Sequence, residues 1–275
     1  MDYVIETKNL NFKYNNELVI KNLTFNVEKG SRCLLVGGNG SGKTTLLKLI
    51  SGRKLTENIL VLGKNSFRDT SLNFKRNFID QNWGLRTVAF AGNNIPYVAD
   101  IKVSEMMKDI QNKYPERKKE LIKLLEINEN WSMSYISEGQ RRRVQIFLGL
   151  LRPVELILLD EISNVLDILC REKLLDWLFK ESIENKTTII YATHIFDGLD
   201  NWYNEVLYLK RENSISSLGF FGKKENIKKL IYDQVKEWLK SDEIESEKII
   251  SKSDLEISTN SAGGYAPGRL NSIYY

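Results

Sequence analysis

The sequence predicts an α/β domain with a mainly parallel central sheet, on three observations. Short apolar segments alternate with segments of helical periodicity: strand 156–159, helix 171–183, strand 188–192 and strand 206–209 follow one another. Such alternation places helices on the faces of a parallel sheet. The segment 32–36 is a near-continuous apolar run, the pattern of a central strand buried on both faces. A glycine-rich loop follows that run directly and opens a short helix over 44–50, with Leu46, Leu47, Leu49 and Ile50 as its apolar side.

The remaining elements fall around this frame. Residues 3–36 read as short strands with turns between them. Leu23, Phe25 and Val27 alternate with polar neighbours, as in a half-buried strand, and Glu28-Lys29-Gly30 is a turn. Segments 59–62 and 88–91 are further strands. Residues 102–151 change character: Val103, Met106, Met107 and Ile110 stand at helical spacing, and so do Leu121, Leu124 and Leu125. They predict a helical insert of about three helices. Ile227, Leu230, Ile231, Val235, Trp238 and Leu239 predict one more amphipathic helix. Residues 242–258, rich in Glu, Lys and Ser, read as a loosely ordered linker, and the Gly- and Pro-containing tail cannot form a regular element. No internal repeat is visible. One domain over 1–240, with a linker and tail over 241–275, is expected.

Composition narrows the function classes. The chain has 275 residues and a net charge of +4, too small an excess to predict direct nucleic-acid binding, which needs a concentrated basic face. Cys33 and Cys170 are the only cysteines. Two isolated cysteines make no disulfide framework, and predict reduced thiols and a cytosolic or nuclear setting. The longest apolar runs, 144–151 and 156–159, fall far short of the ~18–20 residues of a spanning helix. The amino terminus carries Asp2 and Glu6 and no apolar signal core. No membrane insertion is expected.

Two motifs carry chemistry. Gly37-Gly38-Asn39-Gly40-Ser41-Gly42-Lys43-Thr44 fits the phosphate-binding pattern G-x-x-x-x-G-K-[ST]. Its glycines let backbone N–H groups curl around phosphates, and the helix that follows favours anions at its start. Lys43 would neutralise β/γ-phosphates and Thr44 would hold Mg²⁺. The apolar strand 157–159 ends in Asp160-Glu161. Asp160 would bind the magnesium through water, and Glu161 would polarise the attacking water. ATP and Mg²⁺ are the ligands this pair predicts, at the carboxyl ends of strands where open α/β sheets bind them.

Ile136-Ser137-Glu138-Gly139-Gln140-Arg141-Arg142-Arg143 lies some twenty residues before Asp160. With it the chain resembles the nucleotide-binding subunit of ATP-binding-cassette (ABC) ATPases, whose signature reads Leu-Ser-Gly-Gly-Gln followed by basic residues. Ser137, Gly139 and Gln140 match, and Glu138 replaces the first glycine. The resemblance implies a P-loop ATPase fold with an N-terminal antiparallel β subdomain and a helical insert. It also implies nucleotide contacts along Gly37 to Thr45 and an adenine-stacking ring at Tyr14. Asp167, ending Ser163-Asn164-Val165-Leu166-Asp167, takes the D-loop place. His194, the only histidine, takes the place of the switch residue that contacts the γ-phosphate. The family's Q-loop glutamine is expected after strand 88–91, where Asn94 is the best match and would reach magnesium or the water.

Finer detail resembles the small soluble eukaryotic branch of the family. The segments Ser137 to Ile146 and Tyr191 to Asp200 and the tail Gly-Gly-Tyr-Ala-Pro-Gly-Arg-Leu carry that likeness. The branch includes plant ABC I proteins and a yeast member associated with the carbon-catabolite-repression/NOT complex. What this implies is a cytosolic or nuclear ATP hydrolase that dimerises on ATP, Ser137 of one copy completing the site of the other, within a complex controlling transcription or mRNA. The alternatives are the ATPase subunit of a transporter with separate membrane subunits, or a nucleotide-sensing module with little catalysis.

Overall fold

The computed structural model describes residues 2–81, 86–90, 93–97, 101–212 and 215–244, with backbone alone for 86–90 and 93–97. Two long strands, β1 (Tyr3–Tyr14) and β2 (Glu17–Glu28), open the chain as an antiparallel hairpin. Asn15 and Asn16 form its two-residue turn with φ of 46° and 71°. Asparagine tolerates this left-handed state, and such a turn matches the twist of the strands it joins. The strands β4 (Ile59–Val61) and β5 (Lys64–Asn65) extend the sheet beyond β1, again antiparallel.

The predicted parallel core is present. It comprises β3 (Arg32–Gly37), β6 (Arg76–Ile79), β9 (Leu156–Asp160), β10 (Thr188–Ala192) and β11 (Glu205–Glu212), paired in the order β11-β3-β10-β9-β6. The sequence reading passes over β6 and over β12 (Ile215–Lys223). β12 pairs antiparallel with β11 and parallel with β2, so the antiparallel hairpin and the parallel core form one ten-stranded sheet. The segment predicted as strand 88–91 lies elsewhere. β7 (Arg86–Phe90) and β8 (Asn93–Tyr97) make a separate two-stranded sheet.

Strand alternation divides the core into two layers. Cys33 and Leu35 face the cluster that holds Leu46, Leu47, Leu49 and Ile50 of α1 (Lys43–Ile50) and the hairpin's Leu23 and Phe25. Leu34 and Val36 face the opposite cluster, with α4 (Glu138–Leu150) and α5 (Ile168–Glu184). The helical insert is confirmed, with α2 (Lys108–Lys113) and α3 (Pro115–Leu125) ahead of α4. α5 starts three residues before the predicted 171, because the Asp167 carboxylate accepts the Cys170 N–H at 2.9 Å and caps it. Cys33 and Cys170 are free and buried. Among the described residues no helix is long and apolar enough to cross a membrane.

The last helix, α6 (231–244), begins four residues later than predicted. Its start is set by Asp200, whose Oδ1 accepts the Ile231 N–H at 2.8 Å. Trp238 stacks on Tyr208 and Phe220, with ring centroids 4.8 and 5.2 Å apart. The Tyr208 hydroxyl donates to Asp242, and α6 continues three residues into the predicted linker 242–258. The rest of that linker, and the tail, lie outside the described residues.

Candidate functional site

The glycine-rich loop joins β3 to α1. Gly42 stands before the helix at φ +81°, and a Cβ there would lie 2.6 Å from Ser216 Oγ. Gly40, at φ +73°, is closed in the same way by the Arg211 guanidinium, which donates to the Asn39 carbonyl at 3.0 Å. Only glycine fits both positions without strain. No side chain caps α1, and its first turn has no acid. Its leading N–H groups and the positive end of its dipole would therefore favour an anion. Lys43 Nζ donates to the carbonyls of Gly37 (2.8 Å) and Gly38 (3.1 Å). Burial lowers the Lys43 pKa, against the opposing pull of Glu161 and Asp160.

Asp160 ends β9 and is 2% exposed. Burial raises its pKa, opposed by the hydrogen bond from Thr44 Oγ1 to Oδ2 at 2.8 Å. This hydroxyl–carboxylate pair is a hard-oxygen donor set. The described residues offer no cluster of three or more acidic, His or Cys ligands. The Thr44 hydroxyl and Asp160 carboxylate fit Mg²⁺ by their hard-oxygen chemistry, since that ion is commonly held by one or two protein oxygens together with phosphates and waters.

Glu161 follows at φ 50°, its N–H donating to the Ala192 carbonyl at 2.9 Å. This left-handed turn ends the strand and brings the carboxylate among three side chains. Asn164 Nδ2 and Gln81 Nε2 donate to Oε2 at 3.1 and 3.4 Å, and His194 Nδ1 lies 3.5 Å from Oε1. His194 follows β10 and remains 58% exposed on its side chain. The structure thus brings Glu161 and His194 together, one residue past the Thr44–Asp160 pair.

Ser137 caps α4 with a reciprocal box. Its hydroxyl accepts the Gln140 N–H at 3.2 Å, while Gln140 Oε1 accepts the Ser137 N–H at 2.9 Å. Ser137 and Glu138 are exposed. A Cβ at Gly139 would lie 3.5 Å from the Val165 carbonyl, so the helix tip abuts the 163–167 turn. Asp167 pairs with Arg143 at 2.6 Å, and its pKa is held low by the Cys170 N–H and by Arg143. Tyr14 ends β1, edge-on to Phe12 at 4.8 Å, with the Lys54 ammonium 5.2 Å from its ring centroid.

The ABC transporter domain family matches residues 20–164. A relative in Arabidopsis thaliana, ABC transporter I family member 20, is 41% identical over 84% of this chain and 71% of its own length. The chain belongs to the ABC transporter family of ATP-binding cassettes. CCR4-associated factor 16 of Saccharomyces cerevisiae is 34% identical over 79% of each chain. The dimeric bacterial ABC transporter cassette MJ0796 superposes with a TM-score of 0.64 at 23% identity, covering 80% of this chain and 98% of that one. At that identity the likeness is one of fold.

Within this cassette the glutamine at Glu161 is one the sequence reading passes over. The core strand beside β9 is β6, not 86–90, and Gln81 follows β6 by two residues. Asn94 lies on β8, opposite Ala89, with its side chain outside the described residues. Gln81 is the only glutamine between the glycine-rich loop and the helical insert, and that is the signal the sequence carries for it.

Proposed function

We propose that this chain binds and hydrolyses Mg-ATP and acts as an ATP-driven dimerising switch. The observation that carries this reading is the convergence of Gln81, Asn164 and His194 on Glu161, next to the Thr44–Asp160 pair. Backbone N–H groups of the loop and Lys43 hold the β/γ-phosphates, and Tyr14 stacks on the adenine. Thr44 and Asp160 hold magnesium, which supplies charge neutralisation on the phosphates when bound. Glu161 accepts a proton from water as its oxygen bonds to the γ-phosphorus and the bond to the ADP oxygen breaks. Gln81, in place of Asn94, orients that water, and His194 contacts the γ-phosphate. Ser137, Gly139 and Gln140 of a second copy close the site, with Asp167 at the shared boundary. The exposure of Ser137 supports this, since its helix tip is capped but uncovered.

The test is light scattering after size exclusion on Glu161→Gln, with and without Mg-ATP. We expect turnover to fall about 10²–10⁴-fold and a dimer to persist only with nucleotide. Normal turnover would refute the role of Glu161, and a monomer under every condition would refute the switch. The likeness to a CCR4-associated factor supports a place in a regulatory complex of transcription or mRNA control. Affinity purification of the tagged chain should recover soluble subunits of such a complex.

A second reading, the motor of a transporter with separate membrane subunits, is favoured by a groove of about 540 Å³ between β6 and the helical insert, lined by Phe78, Met106, Met107 and Leu148. Recovery of a membrane protein in the same purification would decide for it.

A further inference from the structure

The run Arg141-Arg142-Arg143 follows the signature, yet it is not a solvated helix face. Arg143 is engaged by Glu126 and Asp167, and Arg141 reaches the Met133 carbonyl at 3.5 Å. Arg142 is 8% exposed. Its Nη1 donates to the Asp80 carbonyl at 2.7 Å and to Gln145 Oε1, and its Nη2 lies 3.5 Å from the Glu161 carbonyl. Gln145, one turn further along α4, donates to the same Asp80 carbonyl at 2.8 Å. Two side chains of the signature helix therefore clasp the backbone just before Gln81, and one of them also reaches the backbone of Glu161.

Burying a guanidinium is costly unless its donors are satisfied. Here they go to two backbone carbonyls and an amide oxygen, contacts that fix main-chain position rather than neutralise charge. Both carbonyls belong to the residues that set the water-activating carboxylate: Asp80 precedes Gln81, and Gln81 donates to Glu161. The clasp also borders a cleft of about 360 Å³ that Gln81, Glu138, Asn164 and Val165 line from the other side. A shift of α4 on contact with a second copy would pass through Arg142 and Gln145 to the Gln81 segment and to Glu161.

We propose that Arg142, supported by Gln145, is a positioning residue for hydrolysis, locking the signature helix to the backbone that carries Gln81 and Glu161. The proposal rests on the ATPase reading above. Steady-state hydrolysis and nucleotide affinity of the full chain are compared for wild type, Arg142→Met, Arg142→Lys and Gln145→Ala, with the melting temperature of each. We expect Arg142→Met to lower kcat about tenfold or more, since small misplacements at a reacting centre have effects of that order. The KM for ATP should stay within about twofold. Arg142→Lys should recover part of the rate, because an ammonium still reaches one carbonyl, and Gln145→Ala should fall between.

A kcat for Arg142→Met equal to wild type overturns the proposal, as does a loss of rate matched by a loss of ATP affinity. If Arg142→Met does not fold, Gln145→Ala decides by the same split between kcat and KM. Wild-type protein that neither binds nor hydrolyses Mg-ATP removes the ATPase reading first, and this proposal with it.

Discussion

The phosphate loop and the Ser137 helix tip lie in one chain, but they are completed differently. At the loop, Lys43 is buried and folded onto the Gly37 and Gly38 carbonyls, and Thr44 is already bonded to Asp160. At the tip, Ser137 and Glu138 face solvent, and the cap is closed by the reciprocal bonds between Ser137 and Gln140. The loop is preorganised by the core of its own chain. The tip is shaped by its own capping box and by the 163–167 turn it abuts, and in the proposed switch its function depends on the second copy that covers it.

This contrast can be tested from both sides. The largest effect should come from the loop. Lys43→Met removes a charged donor from the phosphates, and hydrogen bonds to charged groups are worth about 1.5–3 kcal/mol. Mg-ATP affinity measured by calorimetry on the single chain should fall by about 10–100-fold. An unchanged affinity would mean that the loop is not the binding element.

Ser137→Ala should leave that single-chain affinity intact. It should cost about 1 kcal/mol of helix capping, seen as a melting temperature lower by ~2–4 °C, and it should weaken ATP-dependent dimerisation. Loss of affinity in the isolated chain would break the comparison, because the tip would then serve its own site.

The smallest effect concerns the buried acid. Burial raises the Asp160 pKa above its unfolded value, so the folded state holds its proton to higher pH. Its ionisation then opposes folding as pH climbs from the usual aspartate range through the raised pKa, and continues to do so at neutral pH. Asp160→Asn should raise the melting temperature of nucleotide-free protein at pH 7, as read by calorimetry. The gain should shrink toward pH 4, and the stabilisation by Mg-ATP should be lost.

The same contrast governs what the sequence discloses. The loop 37–44 and the strand ending at Asp160-Glu161 were legible, because a glycine-and-lysine pattern and an apolar run are local signals. The strand β6 was not. Its Arg76 is buried, with its pKa lowered by burial to about 10, and donates to the Ile50 carbonyl at 2.9 Å. A polar residue in a buried strand place hides the strand and with it Gln81. The role of Arg142 was equally hidden, since its acceptors are backbone carbonyls 62 and 19 residues away. The start of α6 depends on Asp200, 31 residues upstream, so helical spacing alone placed it too early.

Glu161 combines two conditions that a fold left to itself avoids: a left-handed backbone at φ 50° and a place beside the buried Asp160. For a side chain with a Cβ, that backbone state costs roughly 1–2 kcal/mol, which glycine escapes. On the proposed mechanism, a neutral residue at 160, or glycine at 161, would relieve one of these conditions while removing a hydrolytic group. A laboratory selection for heat resistance alone would drift toward inert variants at these adjacent positions, so any screen for hardier forms of this cassette must score turnover alongside survival.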